Sequence, residues 1–117
     1  LLSVGVLNLN NMRDIENDRK FKKNTIAVKL GVFKSKLYHY FVIFSAIILM
    51  TIFHVKLESD SNLLLSLILC NILWLIFHVF QVSKVKTLKK FDEFLKPLGL
   101  SVFLYAIILS LHFYEIL

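Results

Sequence analysis

The stretch LLLSLILCNILWLIFHVFQV, residues 63–82, runs without a single charged side chain. A helix over it is ~30 Å long at 1.5 Å per residue, which matches the hydrocarbon thickness of a bilayer. Its Leu, Ile, Val and Phe content would also suit a strand. An isolated strand in lipid leaves its amides unpaired, however, so a helix is the reading that satisfies the backbone. Segments of the same kind flank it at about 37–55 and 97–117, and residues 1–9 read as the end of one more. The predicted fold is an all-α polytopic membrane helical bundle with about three complete transmembrane helices plus the end of a fourth. Residues 1–36 are expected to hold helix ends and a loop.

Composition supports that class. Hydrophobic residues make up 57% of the 117 positions, with one proline and three glycines. The formal charge of +6 falls in the connections between apolar runs. That distribution fits membrane-flanking loops and excludes nucleic-acid binding, because no base-stacking aromatics lie among the lysines. Cys70 is the only cysteine, so no disulfide framework is available, and it is expected to be a small buried residue. The chain opens inside apolar sequence at Leu1, and the expectation is that it is part of a longer protein.

The connections set the orientation. Residues 13–36 contain Arg13, Arg19, Lys20, Lys22, Lys23, Lys29, Lys34 and Lys36, residues 56–61 only Lys56, and residues 83–96 contain Lys84, Lys86, Lys89, Lys90 and Lys96. The positive-inside rule puts the first and third on the cytoplasmic side and the second, with the C-terminus, outside. Tyr38, His39, Tyr40, His54, Trp74, His78, His112 and Tyr114 are expected mostly at interfacial depths, where amphipathic rings are favoured. The histidines lack zinc spacing. Ser59, Asp60, Ser61 and Asn62 are candidate helix N-caps, and Pro97 suits a first helical turn.

Chemistry concentrates in NNMRDIENDRKFKKNT, residues 10–25. With 3.6 residues per turn, Asn8, Asn11, Asp14 and Asp18 share one helical face, and Glu16 projects opposite. Carboxylates and amides without sulfur or imidazole suit a hard cation such as Mg²⁺, which keeps positions for water and phosphate oxygens. Arg13, Arg19, Lys22 and Lys23 could contact those phosphates, arginine as a planar fork and lysine as a point charge. The competing reading is a solvated charged loop, in which Asp18 and Lys22 form an ordinary i,i+4 pair worth ~0.2–0.5 kcal/mol.

The residues NNMRDIENDRK at 10–20, KNT at 23–25 and VKLG at 28–31 closely resemble the second aspartate-rich motif of UbiA-type intramembrane prenyltransferases. The resemblance is strongest to the branch that acts on 1,4-dihydroxy-2-naphthoate. It extends more loosely over the whole chain, and residues 1–31 are its diagnostic part. It implies that Asp14 and Asp18 bind Mg²⁺ and, through it, the diphosphate of a polyprenyl donor. Asn11 and Arg13 then line the site, Lys23 lies near the phosphates, and Asn8, Arg19 and Lys22 are further candidates for substrate contact. Lys22 stands where the family usually has glycine.

The resemblance also implies a reaction. A polyprenyl group passes from its diphosphate to dihydroxynaphthoate with loss of CO₂, giving demethylmenaquinone, in the bacterial cytoplasmic (inner) membrane with the motif loop on its cytoplasmic side. The family has two pseudo-equivalent halves, and this chain resembles the C-terminal one. The N-terminal half, with its own aspartate-rich motif, is expected to be required, and this part alone to be inactive. Alternatives are a related prenyltransferase with another aromatic acceptor, or a cation-coupled transporter fragment. Transporter sites lie near the bilayer midplane beside Gly- and Pro-broken helices, whereas these acids lie at a helix end.

Overall fold

The computed structural model describes residues 1–56 and 62–116. They form α1 (Leu2–Arg13), α2 (Ile15–Lys20), α3 (Ile26–Lys56), α4 (Asn62–Ser83), a 3-10 turn (Leu88–Phe91) and α5 (Asp92–Ile116), with no strand among them. Three spans are long and apolar enough to cross a membrane: Ile26–Lys56, Asn62–Ser83 and Leu88–Leu111. The molecule is a polytopic membrane bundle measuring 52 × 25 × 20 Å.

The short α1 is the packing hub. It lies against α3 and α5, and α4 closes on α3 and α5 from the other side. Leu2, Leu9 and Met12 of α1 join Ile43, Ala46 and Met50 of α3 with Leu75, Val82 and Leu98 in the main core. A smaller cluster, Leu64, Ile68 and Ile108, joins α4 to α5. Phe33, Phe41, Leu73, Phe103 and many other large apolar side chains face outward. Such all-round hydrophobicity is expected of helices whose outer solvent is lipid.

Gly5 allows the close approach of α1 to α3. A Cβ built there would sit 2.9 Å from Ile43 Cδ1, 3.4 Å from Leu98 Cδ2 and 3.7 Å from His39 Cε1. At the end of the bundle beyond Met12, the Lys36 ammonium donates to the carbonyls of Ser83 (3.1 Å) and Val85 (2.6 Å). It thereby closes the carbonyl end of α4.

Several expectations change. The expected connection over 13–36 is largely helical: α2 fills Ile15–Lys20, and α3 already begins at Ile26, well ahead of 37. Lys29, Lys34 and Lys36 had marked that first part of α3 as a connection. A break at Gly31, with φ 73° and ψ 171°, divides that part, with Lys29 before it and Lys34 and Lys36 after it. α5 begins at Asp92, so Pro97 lies in its second turn and not its first. Asp92 and Glu93 extend the helix by placing negative charge at its N-terminus. Cys70 is exposed on the outer surface of α4 rather than buried, because Ile68, Asn71 and Leu75 form the inward stripe. The candidate caps Ser59, Asp60 and Ser61 lie outside the described residues, and α4 starts at Asn62.

His39 and His78, expected at interfacial depth, face the interior of the bundle. Both are buried, and their Nε2 atoms meet at 3.1 Å across α3 and α4. Phe94 packs edge-on against His78. Trp74 and Tyr114, by contrast, are exposed.

Candidate functional site

The helix carrying the motif bends at Asp14. Its backbone opens to φ −97°, ψ 8°, in the bridge region, between the end of α1 and the start of α2. Main-chain bonds still span the bend, Asp14 N donating to Asn10 O (3.1 Å) and Asp18 N to Asp14 O (2.8 Å). The two carboxylates therefore remain one turn apart. The straight four-residue face of the ideal helix is not kept, and its members have different surroundings.

Asn8 points into the bundle. It is 3% exposed, and its Nδ2 donates 2.9 Å to the Ser35 carbonyl of α3, leaving Oδ1 buried without a partner. Asn11 is half-buried. Arg13 forms the centre of an ionic cluster: Nε and Nη2 donate 2.8 Å each to the two oxygens of Asp14, and Nη1 donates to Asp92 Oδ1 at the start of α5. Those hydrogen bonds, to Asp14 first and then to Asp92, push the guanidinium's pKa up and hold it charged. The same Arg13 bonds hold the Asp14 carboxyl below the ordinary carboxylate range, against the opposing effect of partial burial.

Asp18 is different. Its side chain is only 8% exposed, and the nearest cation described is the Lys23 ammonium at 3.7 Å, beyond hydrogen-bond length. Its carbonyl, by contrast, is fully engaged. Lys23 N donates to Asp18 O (2.8 Å) and Lys22 N to Arg19 O (3.2 Å), so α2 ends in a Schellman turn with Lys22 at φ 55°. Lys22 thus occupies the left-handed position that the motif usually gives to glycine, and its side chain is exposed, like those of Arg19 and Lys23.

The donor set fits a hard divalent cation. It offers carboxylate oxygens one turn apart, and Lys23 approaches Asp18 only to 3.7 Å. At Asp14 the cation must share or displace Arg13, which already takes both oxygens. Among the described residues, no group of three or more His, Cys, Asp or Glu side chains is placed to hold a metal. Any cation here would be held by one or two carboxylates and complete its shell from other ligands.

Two features escaped the sequence reading. Asp92 lies 79 positions from Arg13, and no local pattern pairs them. The buried group of Asn8, Ser35, His39 and His78 is assembled by three helices, and its only sequence trace is the i,i+4 spacing of Ser35 and His39. At the other end of α1, Leu1, Leu2, Met50, Phe53 and Tyr105 help line an open apolar cleft of about 650 Å³.

The bundle is that of an integral membrane protein, with acidic and basic side chains gathered at one end of α1. The family comparison identifies it further: residues 1–108 match the UbiA prenyltransferase family, and the chain belongs to that family. It is 59% identical over 39 residues to a 1,4-dihydroxy-2-naphthoate octaprenyltransferase of Haemophilus influenzae, an alignment covering 33% of this chain and 13% of that protein. It is 39% identical over 54 residues to a 1,4-dihydroxy-2-naphthoate octaprenyltransferase of Escherichia coli K12, covering 46% of this chain and 18% of that protein. The matched stretches span less than a fifth of those relatives. No solved structure matches the chain significantly.

Proposed function

We propose that the protein transfers a polyprenyl group from polyprenyl diphosphate to 1,4-dihydroxy-2-naphthoate. The observation that carries this is the Arg13–Asp14 and Asp18–Lys23 cluster at a membrane helix end, in a chain whose matched relatives are named for that reaction. The proposal includes a second, N-terminal part with its own acidic motif, which completes the site. It places the motif on the cytoplasmic side of the bacterial inner membrane, where both basic connections would lie under the positive-inside rule. Contacts from Arg13 to Asp92 and from Lys36 to Ser83 and Val85 support one shared end for those connections.

Bound at Asp14 and Asp18, Mg²⁺ would neutralise diphosphate charge and make it a better leaving group. Arg13, bonded to Asp14, and Lys23, 3.7 Å from Asp18, supply positive charge where the leaving oxygen becomes anionic. Lys22 and Arg19, exposed beside them, add long-range attraction for the incoming headgroup. The apolar cleft at the far end of α1 offers the isoprenoid tail a lipid-like surface. The allylic C–O bond breaks and diphosphate departs. The ring carbon bearing the carboxylate forms the new C–C bond; its bond to the carboxylate then breaks, the electron pair restores the aromatic ring, and the carboxylate leaves as CO₂. The immediate product is the 1,4-diol, whose oxidised form is demethylmenaquinone.

The test uses the complete protein in membranes with Mg²⁺, polyprenyl diphosphate and dihydroxynaphthoate, with prenylated product read by mass spectrometry. Asp14→Asn and Asp18→Asn should each lower turnover by roughly 10²-fold or more, the range for losing a group that meets developing charge. Undiminished turnover in both variants would leave only the solvated-loop reading. Product from 4-hydroxybenzoate but none from dihydroxynaphthoate would move the assignment to another acceptor.

A further inference from the structure

The third carboxylate of the ionic cluster comes from a part of the chain that the aspartate-rich motif does not include. Arg13 holds both oxygens of Asp14 through Nε and Nη2 and holds Asp92 through Nη1. We propose that Asp92 is a positioning residue for this site: by sharing Arg13 with Asp14, it controls how readily Asp14 is released to a divalent cation and where the guanidinium rests afterwards. This inference rests on the reading of Asp14 and Asp18 as the cation-diphosphate face.

Arg13 and an incoming cation compete for the same lone pairs of Asp14. A cation that approaches Asp14 meets oxygens already occupied by Arg13, so the guanidinium must share them or withdraw. Withdrawal is easier when a second anion keeps part of the guanidinium engaged, because its five donors need not all be surrendered together. Asp92 is well placed for this. It is the first residue of α5, next to Phe91, which is buried at the base of the 3-10 turn packed against α1. A helix start also favours a carboxylate there. Rigid elements on both sides therefore aim one charge at Arg13, whose retained position keeps it beside the phosphates.

Loss of the Asp92 charge acts twice in one direction. Arg13 then gives its attraction to Asp14 undivided, and the site loses negative potential that favours a divalent ion. Since the Asp92 side chain is 63% exposed, water and salt screen the pair, and the effect is graded rather than absolute.

The experiment compares wild type, Asp92→Asn, Asp92→Glu and Glu93→Gln in the complete protein in nanodiscs. Mn²⁺ binding followed by electron paramagnetic resonance is read alongside the Mg²⁺ dependence of turnover. Asp92→Asn should raise the Mn²⁺ dissociation constant on the order of three- to tenfold, the scale of one screened charge acting on a divalent ion. The difference should shrink towards ~1 M salt, where the Debye length is ~3 Å. The Mg²⁺ half-saturation should move more than kcat, and Asp92→Glu should restore part of the binding. Glu93→Gln removes an equal charge from the same helix terminus without touching Arg13 and should bind Mn²⁺ like wild type. An equal loss in Glu93→Gln would overturn the proposal in favour of a helix-terminus effect, and unchanged binding in Asp92→Asn would overturn it outright. Asp14→Asn separates the levels: if it loses Mn²⁺ while Asp92→Asn does not, the positioning role alone fails. If Asp14→Asn keeps full binding, the cation face fails and Asp92 loses its role with it.

Discussion

Replacing Lys22 by glycine should tighten the turn that follows Asp18. Lys22 sits at φ 55°, and an L residue with a Cβ pays about 1–2 kcal/mol for the left-handed conformation. Glycine avoids that clash but gives back about 0.5–1 kcal/mol through its greater freedom in the open chain. The balance favours Lys22→Gly by about 0.5–1 kcal/mol, or a two- to fivefold shift in the local opening equilibrium. The reporter is the Lys23 amide, which donates 2.8 Å to the Asp18 carbonyl across this turn. Its hydrogen exchange in the micelle-bound protein should slow by that factor in Lys22→Gly and accelerate in Lys22→Val, whose β-branch tolerates positive φ least. Lys22→Gln removes the charge and keeps the strain, so it should exchange like wild type. If valine protects the amide as well as glycine does, backbone strain does not govern this turn and the reasoning fails.

Three further outcomes follow from the packing and the charges. Gly5→Val should destabilise the bundle by about 1–3 kcal/mol, read as a lower thermal midpoint in detergent, because its side chain meets Ile43, Leu98 and His39. Gly5→Ala should be much milder, since the closest atom, Ile43 Cδ1, ends a flexible side chain and alanine gains about 1 kcal/mol of helix propensity. His78→Leu should cost about 1–3 kcal/mol by stranding the buried His39 Nε2; the double variant His39→Phe, His78→Leu should cost less than the sum of the two single changes. Asp14, whose folded pKa is lowered by Arg13, adds stability that is fully present above the ordinary carboxylate range and is lost as pH falls through the lowered folded value. In a chelator-containing buffer, Asp14→Asn should therefore lower stability at neutral pH and flatten the acid limb of the unfolding profile, and an unchanged limb would count against the Arg13–Asp14 pair.

The sequence made the spanning helices legible because lipid leaves the backbone one solution, and a charge-free run of the right length cannot be read otherwise. It misplaced their ends where local charge and tertiary packing disagree: Lys29, Lys34 and Lys36 looked like a loop, yet they ride on the first turns of α3 around the Gly31 break. Lys22 was visible as a departure from a glycine pattern, and the positive φ supplies its physical meaning. His39 and His78 were read one by one from residue type, and only the packing of α3 against α4 brings their Nε2 atoms together. Asp92 had no local signal at all, because the contact depends on how the 83–96 connection folds back beneath α1.

The contacts around the motif restrain its backbone more than its carboxylates. Asn8 ties α1 to α3 through the main-chain oxygen of Ser35, which also lies in a helix and can accept twice. The tie therefore depends on Asn8 and not on the Ser35 side chain. The Schellman turn fixes the other end through the Asp18 carbonyl, and the Asp14 bend between them is spanned by main-chain bonds. Between these two anchors the side chains stay adjustable: Asp14 is held by an arginine that has a second partner, and Asp18 by an ammonium just beyond bonding distance. A site arranged this way has little backbone left to order when a doubly charged ligand arrives. The response falls instead on Arg13 and Lys23, whose charges need only move from carboxylate to phosphate.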